Sequence, residues 1–213
     1  MPTLTAKNAF IFRITHINNM PWIFQNGIHC PNSANKDPNF VSIGLADLIQ
    51  SRSTRIVPTG PGGHLSDYIP FYFTPWSIMM YNIRTGYRGV KHIPNNELVI
   101  LVSSLHHISK NGVPFVFTNQ HAYPVAAQYF DNLADLNKID WPILEAKDFR
   151  YDVNDLGRKE RYQAEALIYQ TFGISELLGV GCRDDMVKAQ LQTMSGSLHP
   201  NLQIKTTPTW YFP

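Results

Sequence analysis

Two short apolar runs, ELVILVSS (97–104) and VPFVFT (113–118), limit what this chain can become. Both are rich in β-branched and aromatic residues and both are bounded by polar or turn-forming residues, so each predicts a buried strand. LHHISKNG between them supplies a brief helix or turn. A third segment, AFIFRITHI (9–17), alternates as a strand with two distinct faces. Phe10, Phe12, Ile14 and His16 fall on one face, and Ile11, Arg13, Thr15 and Ile17 on the other. A guanidinium and a hydroxyl on one face suit an anionic or polar ligand, and a half-exposed strand with a solvated arginine fits the pattern equally well.

The remaining elements are short. NNMPWIFQNG carries a capping asparagine, a proline in the first turn and a terminal glycine, which predicts a small helix ending at Gly27. Residues 29–40 read as loop. IGLADLIQSRSTRI has helical spacing at Leu45, Leu48 and Ile49 and delivers Arg52 and Arg55 at its C-terminal end, where cations also complement the helix dipole. TGPGG (59–63) is a tight loop, matching neither a Walker A sequence nor a dinucleotide-binding glycine fingerprint. SDYIPFYF predicts an edge strand, or one beginning at Phe71, because Pro70 has no N–H for a ladder. SIMMYNI predicts a helix, AYPVAAQYFDNLADLNKI (122–139) a longer one, and Asp140 caps WPILEAK. ISELL reads as helix, GVGCR as strand, DDMVKAQLQTM as helix and LQIKTTPTWYF as strand. Six or so strands with short helices, and no βαβ regularity, predict an α+β fold in one domain covering 1–213.

Composition narrows the class further. The chain is 44% hydrophobic and 16% charged, so it is globular, and its net charge of +2 permits a nucleic-acid partner without demanding one. No apolar run approaches the roughly 18 residues that span a bilayer. Cys30 and Cys182 match no metal or redox spacing, and no metal is expected; with no secretory segment the expectation is a cytoplasmic protein. The basic loop RTGYRGVKH (84–92), with Arg84, Arg88, Lys91 and His92 beside Tyr87, can meet a phosphate backbone or simply be solvated.

No zincin, serine-hydrolase or paired-carboxylate motif is present. What stands out is Glu165 in RYQAEALIYQ (161–170), a carboxylate among small and apolar neighbours. An ionised carboxylate in a packed setting is costly unless paired, hydrogen-bonded or used. A surface glutamate on an amphipathic segment is the competing reading. His121, at the polar corner after VPFVFT, is placed either for a site or for a structural hydrogen bond.

TGPGGHLSDYIPFYFTPWSIMMYNI, VPFVFTNQHAY, IDWPILEAKDFR, RYQAEALIYQ and a terminal WYF together resemble the DarT family, from about Phe10 to Phe212. These are DNA ADP-ribosyltransferase toxins of the DarT–DarG toxin–antitoxin systems, and the likeness is greater to their thymidine-modifying branch. The resemblance implies an ADP-ribosyltransferase-like, split, mostly antiparallel sheet with short surrounding helices and a cleft for NAD. It implies transfer of ADP-ribose from NAD to a base in single-stranded DNA with release of nicotinamide. Its catalytic carboxylate maps to Glu165, its essential arginine to Arg52 and its corner histidine to His121. Arg13, Thr15 and His16 on the first strand, with Arg52 and Tyr72, are expected at NAD. His121, Tyr123 and Arg150 are expected at DNA, within the polar segment from Asn119 to Arg150. A DarG-like macrodomain antitoxin is the implied partner, and a monomer the default.

Loss of nicotinamide leaves positive charge on the ribose, as in glycoside cleavage. A carboxylate such as Glu165 stabilises that charge, and a permanent cation such as Arg52 stabilises a deprotonating base or holds pyrophosphate. Two rivals stay open: an ADP-ribosyltransferase acting on guanosine, RNA or protein, and a nucleic-acid-binding module whose catalytic site has decayed.

Overall fold

A computed structural model describes residues 3–213, the side chain of Arg88 excepted. In chain order it runs β1 (Phe10–His16), α1 (Met20–Asn26), β2 (Ile28–His29), α2 (Ala46–Arg52), β3 (Tyr68–Tyr72) and α3 (Ile78–Thr85). Next come β4 (Leu98–Ser104), α4 (Leu105–Lys110), β5 (Phe115–Thr118), β6 (Tyr129–Phe130), α5 (Trp141–Ala146) and α6 (Arg158–Arg161). The chain closes with β7 (Glu165–Tyr169), β8 (Thr171–Phe172), β9 (Gly179–Cys182), α7 (Asp185–Ser195) and β10 (Ile204–Thr206). Eight strands form one sheet in the order β10-β9-β4-β1-β3-β7-β5-β6, antiparallel except for the β9–β10 pair. The α+β class and the mostly antiparallel sheet with short helices are as the sequence implied.

The sheet is split in its middle. β1 and β4 pair along their whole length, from Phe10↔Ser104 to His16↔Leu98, and β3 and β7 do the same, from Tyr68↔Tyr169 to Tyr72↔Glu165. Between those two halves β1 and β3 meet only at Phe12↔Tyr72. Pro70 explains why the seam opens, since its nitrogen has no hydrogen to give. Its carbonyl is taken instead by Arg13, whose Nη1 donates at 2.8 Å across the gap. The expected edge strand is therefore an interior one: Pro70 does not end the sheet, it opens it.

Strand β7 shows how the faces divide. Ala166 and Ile168 enter the main core, whereas Leu167 enters a second, smaller cluster with Val57, Leu65, Tyr68, Val116 and Ala122. By the two-residue period of a strand, Glu165 lies on the Leu167 side.

Several local expectations are corrected. Residues 122–139 form no long helix: a turn leads to β6, which pairs with β5 through Phe117↔Phe130 and Thr118↔Tyr129, and a 3-10 segment follows at Leu133–Lys138. Stacking of Phe117 on Phe130, at 5.4 Å between centroids, captures the aromatic pair that looked helical. ISELL makes one 3-10 turn, Ile174–Glu176. The final strand covers only Ile204–Thr206, and a turn beginning at Pro208 ends it. The helix ends behave as read: Gly27 closes α1 at φ 73°, Ser77 caps α3, and the Asp140 side chain accepts from the Ile143 N–H. Among the described residues no helix is long and apolar enough to cross a membrane.

Candidate active site

The open seam leads into a cavity of about 480 Å3. Its apolar wall includes Ile43, Leu45, Leu48 and Ile49 from α2 and the segment before it, with Tyr68 and Pro70 opposite. Arg13, Arg52, Tyr72, His121, Gln163 and Glu165 supply its polar end. Apolar walls with a few convergent polar groups are the usual make-up of a ligand site.

Glu165 is 1% exposed and is fully engaged. Arg52, in the last turn of α2, donates Nη1 to Oε1 at 3.0 Å and Nη2 to Oε2 at 2.8 Å. The Ala122 backbone N–H donates to Oε1 at 3.0 Å, and His121 Nε2 stands 3.8 Å from the same oxygen. The Glu165 N–H in turn donates to Thr118 Oγ1 at 3.2 Å, which fixes the strand end. A solvated surface glutamate is thereby ruled out.

The electrostatics follow from this geometry. Burial pushes the Glu165 carboxyl upward, but Arg52, His121 and the Ala122 N–H more than offset it, and the group is held below the ordinary carboxylate value. For Arg52, burial acts to lower its pKa and the Glu165 carboxylate outweighs it, so this guanidinium is held above its usual value. His121 is held below the usual imidazole value, chiefly by burial, with Glu165 opposing and Arg52 reinforcing. Arg13 is lowered to about 10, chiefly by burial, with Arg52 adding to the effect and Tyr72 opposing it. Burial also raises the Tyr72 phenol, which stays neutral beside Glu165 and Arg52.

Five of the expected residues thus converge: Arg13, Arg52, Tyr72, His121 and Glu165. Thr15 and His16 do not line the cavity. Thr15 Oγ1 accepts from Asn19 Nδ2 at 3.0 Å, and Asn19 grips Val41 through both of that residue's backbone groups, so Thr15 supports the cavity wall from behind. His16 bonds Glu97 at 3.1 Å. Tyr123 and Arg150 lie outside the cavity too. Tyr123 is 40% exposed next to His121, and the Arg150 side chain is 86% exposed and paired with Asp148 at 2.9 Å. In the basic loop Arg84 lies 2.7 Å from His92, while the expected Arg88 side chain is outside the described residues. Among the described residues no cluster of three or more His, Cys, Asp or Glu is arranged to hold a metal ion.

Two contributors escaped the reading of the sequence. Ala122 acts through its backbone, which no side-chain motif can announce. Gln163 could have been found, since it stands two residues before Glu165 in RYQAE.

Known proteins share this arrangement of chain. The DNA ADP-ribosyl transferase of Escherichia coli O127:H6 (strain E2348/69 / EPEC) is 47% identical over 210 residues, covering 99% of this chain and 96% of that protein. The solved structure of Thermus sp. 2.9 DarT in complex with ADP-ribosylated ssDNA superposes with a TM-score of 0.89, at 28% identity and with all of both chains covered. The same protein in complex with NAD+ gives 0.81 at 29% identity, over 97% of this chain and 98% of that one. With the family model described as "ssDNA thymidine ADP-ribosyltransferase, DarT" matching residues 12–212, the chain belongs to the DarT family.

Proposed function

We propose that this chain transfers ADP-ribose from NAD to thymidine in single-stranded DNA, releasing nicotinamide, and that residues 1–213 act as one catalytic domain and as a monomer. One observation carries the reading: Glu165, clasped by Arg52 and flanked by His121, closes the polar end of a cavity where its other neighbours, Arg13, Tyr72 and Gln163, are cationic or neutral. Arg13 and Arg52 suit the two negative charges of a dinucleotide pyrophosphate, and the apolar wall suits its rings. DNA and NAD complexes of the Thermus sp. 2.9 relative support both substrates.

The chemistry assigned to each residue follows from charge and protonation. Glu165 is ionised through the neutral range, so it stabilises positive charge developing on the ribose as nicotinamide leaves. Arg52 does two things: it orients that carboxylate, and it offers a permanent cation to a thymine ring losing its proton. The Tyr123 N–H points at His121 Nδ1 from 3.4 Å, which leaves the neutral ring's proton on Nε2. His121 therefore donates into the site and orients the base. Tyr72 and Arg13 contact NAD, and Thr15, through Asn19, braces that wall. Tyr123 offers a ring for base stacking and Arg150 a charge for the backbone. The acceptor must be unpaired, because duplex pairing occupies the thymine ring nitrogen.

A DarG-like macrodomain that removes ADP-ribose is the proposed partner. Buried, free Cys30 and Cys182 suit a reducing cytoplasm.

The test incubates labelled NAD with matched single-stranded DNA, duplex DNA, RNA and protein. Label is expected on thymidine-containing single strands alone, and nowhere with Glu165→Gln. Label on RNA or protein instead would overturn the acceptor, and full activity of Glu165→Gln would overturn the site. Tyr123→Ala is expected to raise KM for DNA about tenfold, the worth of one base stack.

A further inference from the structure

His121 and Ala122 hold Glu165, yet they sit in the turn between β5 and β6, which has little core of its own. Something must keep that turn in place. Its base is closed by Asn119 and Gln128, which exchange side-chain and backbone hydrogen bonds at 3.1 Å. Its centre is held from outside. The Tyr129 hydroxyl donates to the Ala122 carbonyl at 2.5 Å, and Arg55 Nη2 donates to the Pro124 carbonyl at 3.2 Å. The Arg55 guanidinium also acts on the Tyr129 phenol, drawing its pKa down against the effect of burial. Burial raises the Tyr129 phenol above its usual value, so it remains protonated and able to donate.

Ala122 is therefore gripped on both sides, its carbonyl by Tyr129 and its N–H by Glu165. The grip has a single origin in the chain. Arg52 and Arg55 are linked by the Arg55 N–H donating to the Arg52 carbonyl at 3.2 Å. Arg52 reaches Glu165 directly, and Arg55 reaches the turn that carries Ala122 through the Pro124 carbonyl.

We propose that Tyr129, backed by Arg55, is a positioning residue for the transfer reaction, its hydroxyl holding Ala122 so that the Ala122 N–H stays on Glu165. The inference rests on Glu165 being the catalytic carboxylate. Arg52 faces Glu165 from α2, Tyr72 from β3 and His121 from the turn, with Glu160 behind His121. Tyr129→Phe leaves all of these groups in place. It removes the hydroxyl that restrains Ala122, and a looser N–H makes Glu165 easier to protonate.

The experiment measures kcat and KM for NAD and DNA against pH in the wild-type chain and in Tyr129→Phe, Tyr169→Phe and Glu165→Gln. Tyr169 belongs to the same small cluster, lies outside the cavity and serves as the packing control. Tyr129→Phe is expected to lower kcat by up to about tenfold, the upper end of what one neutral hydrogen bond is worth. KM values stay put, and the acid limb of the kcat profile moves to higher pH. Tyr169→Phe behaves as wild type. Should Tyr129→Phe fail to fold, Arg55→Lys is read in its place and shows the same signature more weakly. The inference is overturned by a wild-type rate and acid limb in the variant, by an equal loss in Tyr169→Phe, or by a loss with an unmoved acid limb. An active Glu165→Gln would instead overturn the reading of the site, so the two failures are distinct.

Discussion

Arg52 and Glu165, 113 residues apart in the chain, form a two-pronged ion pair at 3.0 and 2.8 Å on the floor of the cavity. Glu165 sits on β7, one strand beyond the open seam, and Arg52 ends a helix with no buried residue of its own. The pair therefore ties a lightly held wall of the cavity to its rigid floor. Removing one partner of a buried pair strands the other charge, at a cost of about 3 kcal/mol. Arg52→Ala is expected to destabilise the protein by that amount and to lower kcat by about a hundredfold or more, the usual loss when a donor to developing charge is deleted. Denaturant melts and DNA-modification rates check both.

Protonation of the site gives a stability signature with a defined sign. His121 has a lower pKa in the folded chain than the ordinary 6.5, so as pH falls the unfolded chain takes up its proton first. Stability is then lost as pH drops below that ordinary value. Glu165, also held low, keeps its contribution above the ordinary 4.5 and loses it as pH falls through its own folded value. Thermal midpoints are expected to fall in two stages on acidification. His121→Gln should lose the first stage and keep the second.

Asn19 is 1% exposed and is the pin of the cavity wall. It takes Thr15 on one side and both backbone groups of Val41 on the other, at 2.8 to 3.0 Å. Asn19→Ala should cost about 2 to 3 kcal/mol for these buried bonds. The segment it holds carries Ile43 and Leu45 in the apolar wall of the cavity proposed for NAD, so KM for NAD should rise while kcat changes little. Steady-state kinetics with a saturating oligonucleotide separates the two terms.

Much of this protein is written locally. β1, β4 and β5 are legible because strand periodicity and β-branched apolar runs act over a few residues, and Gly27, Ser77 and Asp140 mark helix ends by their own backbone and capping chemistry. Local rules failed where a distant partner outbid them. Tyr129 and Phe130 carry helix-like spacing until β5 offers them a ladder, and Pro70 reads as an edge until a second half-sheet closes around it.

The site divides the same way. Glu165 was conspicuous in its own window, because a carboxylate among apolar neighbours has to be satisfied somehow, and the family's motifs pointed to Arg52 and His121. What satisfies Glu165 is non-local: a guanidinium from one helix end, a backbone N–H from a turn and a tyrosine holding that turn from behind. Periodicity reports which face a residue occupies. It carries no record of which chain segment will lie opposite, since that is set by how the split sheet packs, and there the structure alone distinguishes Arg13 and Tyr72, which enter the cavity, from Thr15, bound to Asn19, and His16, bound to Glu97, which do not.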